Sequence, residues 1–189
     1  SGYHYSDSIV IGFSHLHLNG TGCSDTGDIL FMPYTGNART QPGTQQDPLS
    51  GYASLYSKDN EQALPGYYEV LLKTHNTKVE LTASDRVAFH RYTFPKDAEK
   101  HVMINLKDAN GDDRPTDTYL EQMNDTVIRG YRHSTGWSKK QQIYFTAVFS
   151  QPIHLTLYHD SVQVAGNHLQ GLDVKGNVSI ASTKEELCV

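Results

Sequence analysis

The sequence predicts an all-β protein, an antiparallel β-sandwich, and three observations carry that reading. Apolar and polar residues alternate with period two through most of the chain, the pattern of strands with one buried and one wet face. No window repeats apolar residues at the i, i+3, i+4, i+7 spacing of an amphipathic helix. The alternating runs are short, rich in Val, Ile, Thr, Tyr and Phe, and bounded by Gly, Asn, Asp or Pro, as strands joined by tight turns are. Many strands at this spacing pack as two facing sheets.

Taken in order, the chain first presents a polar stretch from Gly12 to Asp28. It holds two His, two Asp, one Cys and four Gly in 17 residues. Such chemistry on permissive backbone belongs on a loop. The apolar run Ile29-Leu30-Phe31-Met32 follows and reads as a buried strand. Gly36 to Asn60 shows little strand pattern, so it is expected to be a long loop. Tyr68 to Lys73 and Val79 to Ser84 alternate as strands, with His75-Asn76-Thr77 as the turn between them. After a break at Asp85, Val87 to Tyr92 continues the pattern. His101 to Leu106 is the next strand, and Asn110-Gly111-Asp112-Asp113 a strong turn. Thr126 to Arg132, Ile143 to Phe149 and Ile153 to Tyr158 complete the set. Ser150-Gln151-Pro152 reads as a short turn between adjacent antiparallel strands. Short helical pieces are expected near Asp97 to Lys100 and Lys184 to Leu187.

A chain of 189 residues buries one good core, so residues 1–189 are expected to form a single domain. The net charge of −5, with basic residues scattered, argues against a nucleic-acid partner. No apolar run approaches the roughly 20 residues of a membrane span. Two cysteines, Cys23 and Cys188, exclude a multi-disulfide scaffold and a thiolate zinc site, while one bridge between them stays open.

Several residue groups carry chemistry. His15 and His17 alternate, so on a strand they share a face. They read as a ligand or sugar-contacting pair, or as two hydrogen-bonded structural histidines. With Asp25 or Asp28 they have the donor types of a metal site, but no further spacing supports one. Cys23 lacks the surroundings of a thiol nucleophile beyond His17 as a base, and is better placed lining a pocket. Asp25 and Asp28 read as paired carboxylates or, by default, as turn formers near Gly. Asp108 to Asp113 has oxygen ligands but lacks the Gly register and closing Glu of a calcium loop, which favours a solvated turn. Trp137, the one Trp, reads equally as a sugar-stacking ring or a core plug.

Several of these segments together resemble the N-terminal domain of glycoside hydrolase family 92, the calcium-dependent exo-acting α-mannosidases. The likeness runs from Ser1-Gly2-Tyr3 into Gly12-Phe13-Ser14-His15-Leu16-His17-Leu18-Asn19-Gly20-Thr21-Gly22-Cys23 and Gly27-Asp28-Ile29-Leu30. It continues through Ser57-Lys58-Asp59-Asn60-Glu61-Gln62-Ala63-Leu64-Pro65-Gly66-Tyr67-Tyr68, then Val79 to Ala83 and His90-Arg91-Tyr92-Thr93-Phe94-Pro95. Gly130-Tyr131-Arg132, Gly136-Trp137 and Tyr144-Phe145 close the set. Each motif is modest; their order and spacing over nearly the whole chain are specific.

The resemblance implies a β-sandwich packed on a separate catalytic (α/α)6 barrel, with the active site between the two. That barrel, absent from this chain, supplies the general-acid Glu, the general-base Asp and the calcium ion; hydrolysis inverts the anomeric centre. No catalytic or metal-binding residue is therefore expected in this chain. Its expected part is to contact mannose-containing glycans through His17, Gly22, Cys23 and Asp25, with Lys58, Glu61 and Trp137 lining the outer subsite. The family domain carries strands before Ser1-Gly2-Tyr3, so this chain resembles a fragment, and its exposed sheet edges are expected to pair with a second chain or rearrange. The resemblance also implies a bacterial protein of the periplasm, the cell surface or the medium. Two other functions compete: a sugar-binding module that works alone, and a sandwich that only buttresses the barrel.

Overall fold

The computed structural model describes residues 5–16, 26–44, 46–109 and 113–189. Among these described residues sixteen strands follow one another: β1 (Ile9–Val10), β2 (Leu30–Thr35), β3 (Ser54–Leu55), β4 (Glu61–Leu64), β5 (Tyr67–Leu72), β6 (Thr77–Ala83), β7 (Ala88–Thr93) and β8 (Lys100–Asn105), then β9 (Arg114–Asn124), β10 (Val127–Thr135), β11 (Gln141–Val148), β12 (His154–His159), β13 (Val162–Val164), β14 (His168–Gly171), β15 (Val174–Ile180) and β16 (Glu186–Cys188). Every pairing among them is antiparallel. They form a central sheet β13-β12-β15-β8-β2, a second sheet β11-β10-β9-β14, a third sheet β16-β7-β6-β5-β4 and the small pair β1-β3.

The central sheet is covered on both faces, and its chemistry differs between them. One face carries Val102, Ile104, Val178, Leu155 and Leu157, all buried. The second sheet packs there through β9 and β14. At Gly176 the two layers come so close that a Cβ would overlap Leu120 Cδ2 and Leu155 Cδ1. The other face carries Tyr34, His101, Asn105 and Asn177 under the long loop that leaves β2. Burying polar side chains is tolerable only if they find partners. Tyr34 donates to Asn177 at 2.8 Å, Asn105 donates to the Tyr52 hydroxyl at 2.9 Å, and His75 Nε2 sits 2.9 Å from the Tyr52 carbonyl. Phe31 joins the three large sheets: its ring lies 6.0 Å from Phe145 on β11 and 5.6 Å from His90 on β7.

Local sequence explains the tight turns. Pro65-Gly66 links β4 to β5, with Gly66 at φ +77° where other residues strain. Asp160 and Ser161, at φ +45° and +71°, form the two-residue loop between β12 and β13, the primed geometry that suits strand twist. Asn76 at φ +46° turns β5 into β6, as the His75-Asn76-Thr77 reading expected.

Three sequence expectations fail. The segment near Asp97 to Lys100 leads into β8, and Lys184 to Leu187 into β16; neither is helical, because each is drawn into a sheet, β8 between β15 and β2 and β16 at the edge beside β7. Among the described residues the helical element is a 3-10 turn at Lys58–Asn60. Ser150-Gln151-Pro152 does not join paired strands: β11 belongs to the second sheet and β12 to the central one, so the segment crosses layers. His15 lies in a bend rather than a strand, so the shared-face argument for His15 and His17 lapses. Among the described residues no helix is long and apolar enough to cross a membrane.

Candidate functional site

The chain on either side of residues 17–25 is pinned by buried polar contacts. Phe13 exchanges two backbone hydrogen bonds with Phe31, at 2.9 and 3.0 Å. Ser14 Oγ then donates to the Asp28 carbonyl at 2.6 Å, tying the incoming chain to the outgoing one. On the far side Thr26 N donates to Asp113 Oδ2 at 2.9 Å. Asp28 and Arg132 are both fully buried and form an ion pair. Ser134 Oγ donates to the same Asp28 oxygen at 3.1 Å. Arg132 also donates from Nε to the Leu106 carbonyl at 2.9 Å and from Nη2 to the Asp113 carbonyl at 3.2 Å. Burial pulls the guanidinium down to about 10, well above neutral pH, so it stays charged. One cation thus ties the loop foot, the end of β8 and β10 together. The foot is strained as well: Thr26 and the β-branched Ile29 sit at φ +63° and +59°, a cost on the order of 1–3 kcal/mol each that the clamp must hold.

Beside the incoming chain lies an open cleft of about 690 Å³ between residues 9–16 and the inner face of β4, β5 and β6. Its walls are mostly apolar, with His15, Glu61, Tyr56 and Tyr68 among the polar members. His15 packs ring against ring on His90 at 4.6 Å. His90 Nδ1 lies 2.6 Å from the Tyr92 hydroxyl. Burial above all, with the His15 charge second, pulls His90 down to about 3, so it is neutral at physiological pH. Burial raises Tyr92 well above its ordinary value, so that phenol keeps its proton.

Glu61, on the cleft wall, pairs with Lys58. The 3-10 turn brings Lys58 Nζ to 3.2 Å from Glu61 Oε2 and 3.3 Å from the Tyr56 hydroxyl. The ammonium lies over the Tyr56 ring at 4.7 Å and the Tyr5 ring at 5.5 Å. Tyr68 donates to Glu61 Oε1 at 2.7 Å. A cation and a carboxylate held by phenols form a pre-oriented donor and acceptor pair, suited to vicinal hydroxyls.

Trp137 is elsewhere. It is 77% exposed on the turn between β10 and β11, where Gly136 N donates to the Ser138 carbonyl at 2.9 Å. That exposure rules out the core-plug reading. The same hairpin carries Arg132 and Ser134 to Asp28, so Trp137 extends from the arm that clamps the loop. His17, Gly22, Cys23 and Asp25 lie outside the described residues, as does one half of a Cys23–Cys188 bridge. Within the Asp108 to Asp113 run, Asp108 accepts from Asn105 Nδ2 at 2.8 Å and Asp113 holds Thr26, so both described carboxylates have structural work.

Sequence reasoning missed Arg132, Ser134 and His90 as parts of this site. The parity of β10 held the signal: Ile128, Gly130, Arg132 and Ser134 share a face, and an Arg on a buried face requires an acid. Asp28, on the polar side of Ile29, is that acid.

The profile of the glycosyl hydrolase family 92 N-terminal domain matches residues 1–188. The chain belongs to this family. Comparison with curated protein sequences returns no match. Among solved structures, this family 92 domain resembles the family GH92 alpha-mannosidase BT3965 from Bacteroides thetaiotaomicron, solved alone and in complex with mannoimidazole. The likeness covers 100% of this chain at 34% identity and a TM-score of 0.93. It also resembles the GH92 family glycosyl hydrolase ccman5, at 25% identity over 99% of the chain with a TM-score of 0.84. The chain spans 26% of the length of each of these structures.

Proposed function

We propose that this chain is the N-terminal domain of an exo-acting α-mannosidase that removes terminal mannose, chiefly α-1,2-linked, from mannose-containing glycans. One observation carries the reading: the chain superposes along its whole length on the alpha-mannosidase BT3965 at 34% identity.

Inverting hydrolysis needs two carboxylates roughly 6.5–9.5 Å apart with water between them. Family likeness assigns both, and calcium, to a following (α/α)6 barrel. Among the described residues no three His, Cys, Asp or Glu side chains gather. Calcium bound on that barrel would polarise sugar hydroxyls and steady the ring. This chain's own contribution is to bind and orient. Lys58 donates to a hydroxyl and Glu61 accepts from one, each already oriented by Tyr56 or Tyr68. The exposed Trp137 ring offers a face to the C–H side of a pyranose. His17, Gly22, Cys23 and Asp25 are the proposed contacts to the terminal mannose; they lie in sequence between Ser14 and Asp28, which a hydrogen bond ties together. The family likeness supports an enzyme of the periplasm, the cell surface or the medium, acting there on mannose-containing glycans such as N-glycans.

Calorimetric titration of the 189-residue chain with mannose and mannobiose, with and without calcium, tests the division of labour. The expected result is no detectable heat, because half the pocket is missing. Binding at millimolar strength or tighter would instead identify a sugar-binding module competent by itself.

A further inference from the structure

Edge strands present unpaired N–H and C=O groups, and proteins shield them with charge, proline, bulges or brevity. Five of the six edges of the three large sheets are shielded in this way. β2 contains Pro33 and is bridged by Phe13. β13, β14 and β16 are three or four residues long. β4 has four residues, opens with Glu61 and is followed by Pro65.

β11 is the exception. It runs for eight residues, Gln-Gln-Ile-Tyr-Phe-Thr-Ala-Val, without a charge or a proline. Its register with β10 is unbroken from Val127↔Val148 to Ser134↔Gln141. From Gln142 to Val148, the backbone groups facing away from β10 have no partner among the described residues. Tyr144 and Val148 are 66% and 60% exposed, and the inward-facing Ile143 and Phe145 stay half-buried at the rim.

We propose that β11 is the interface through which two copies of this chain associate, as an antiparallel strand pair about a two-fold axis at Tyr144. The sequence is self-complementary in that register. On the inner face Ile143 meets Phe145 of the second copy, an aromatic and β-branched pair of the favoured kind, and both lose their remaining exposure. On the outer face Tyr144 meets its own symmetry mate and Gln142 meets Thr146. Lys140 falls opposite Val148, so no like charges meet. Each β11 edge is used once and the other edges are shielded, so the assembly closes at a dimer rather than growing.

The test is the solution mass of the 189-residue chain by light scattering and sedimentation across a concentration series. Wild type is expected to reach twice the chain mass. Tyr144→Lys and Tyr144→Glu, each placing like charges across the axis, are expected to remain single chains. Their equimolar mixture is expected to return to the doubled mass as a heterodimer, which a misfolded variant cannot do. The proposal is overturned if wild type stays a single chain at every concentration. It is equally overturned if both variants still double, if open-ended aggregates form, or if the mixture stays monomeric. None of these outcomes bears on the glycosidase reading, which does not involve β11.

Discussion

Asp28 and Arg132 set the terms for the residues around them. Both are fully buried, and the desolvation of two ions is offset only while each has the other. Arg132→Met, which strands Asp28, is expected to lower unfolding free energy by about 3–5 kcal/mol in urea titration. The double variant Asp28→Leu, Arg132→Met is expected to lose clearly less than the sum of the two singles. Additive losses would mean that the pair is not coupled. Trp137 is the contrasting case. Its exposure predicts a stability change within about 0.5 kcal/mol for Trp137→Ala. A larger loss in the same titration would show that the ring packs on something.

At the scale of the elements, strand existence was legible and strand partnership was not. Period-two runs at Tyr68, Val79, His101, Thr126, Ile143 and Ile153 all correspond to strands, because each has at least one face in the core. Arg114–Asn124 escaped because its outward positions carry Asp117, Tyr119 and Glu121, whose hydroxyl–carboxylate pairing mixes aromatic with acid and blurs the pattern. Val174–Ile180 escaped because Lys175, Gly176 and Asn177 interrupt it; each is buried for a reason that only the neighbouring layer supplies. The site followed the same rule. Local motifs marked Lys58 with Glu61, three residues apart, but the Asp28–Arg132 pair joins the segment before β2 to a strand of another sheet, β10. Layer spacing is itself testable at Gly176, where a side chain would drive into Leu120 and Leu155. Gly176→Val is expected to cost about 1–3 kcal/mol or more by calorimetric melting, while Gly66→Ala, strained at φ +77° but spatially open, should cost less.

The whole molecule carries a pH signature. His90 has a folded value of about 3 against an unfolded value near 6.5. The unfolded chain therefore binds its proton first, and the stability from neutral His90 is full above 6.5 and is lost as pH falls toward 3. By pH 5 the loss from His90 is about 2 kcal/mol. Burial lowers His75 and His101 as well, which steepens the same limb. Glu80, held down to about 2 chiefly by Arg91, adds its own loss only below about 4.5. Urea midpoints measured between pH 7 and pH 5 should therefore fall, and His90→Gln should flatten the fall; an unchanged slope would place His90 in water. The proposed role of this sandwich is to help bind the sugar for a catalytic barrel. Its most direct test is mannobiose hydrolysis by a polypeptide that joins this chain to a family 92 barrel, comparing wild type with Glu61→Gln and Trp137→Ala. The account predicts a fall in kcat/KM of about tenfold for each, since a lost charged hydrogen bond or aromatic contact costs on the order of 1.5 kcal/mol, with melting temperature unchanged. Full activity in both variants would contradict it and leave the domain as a buttress only.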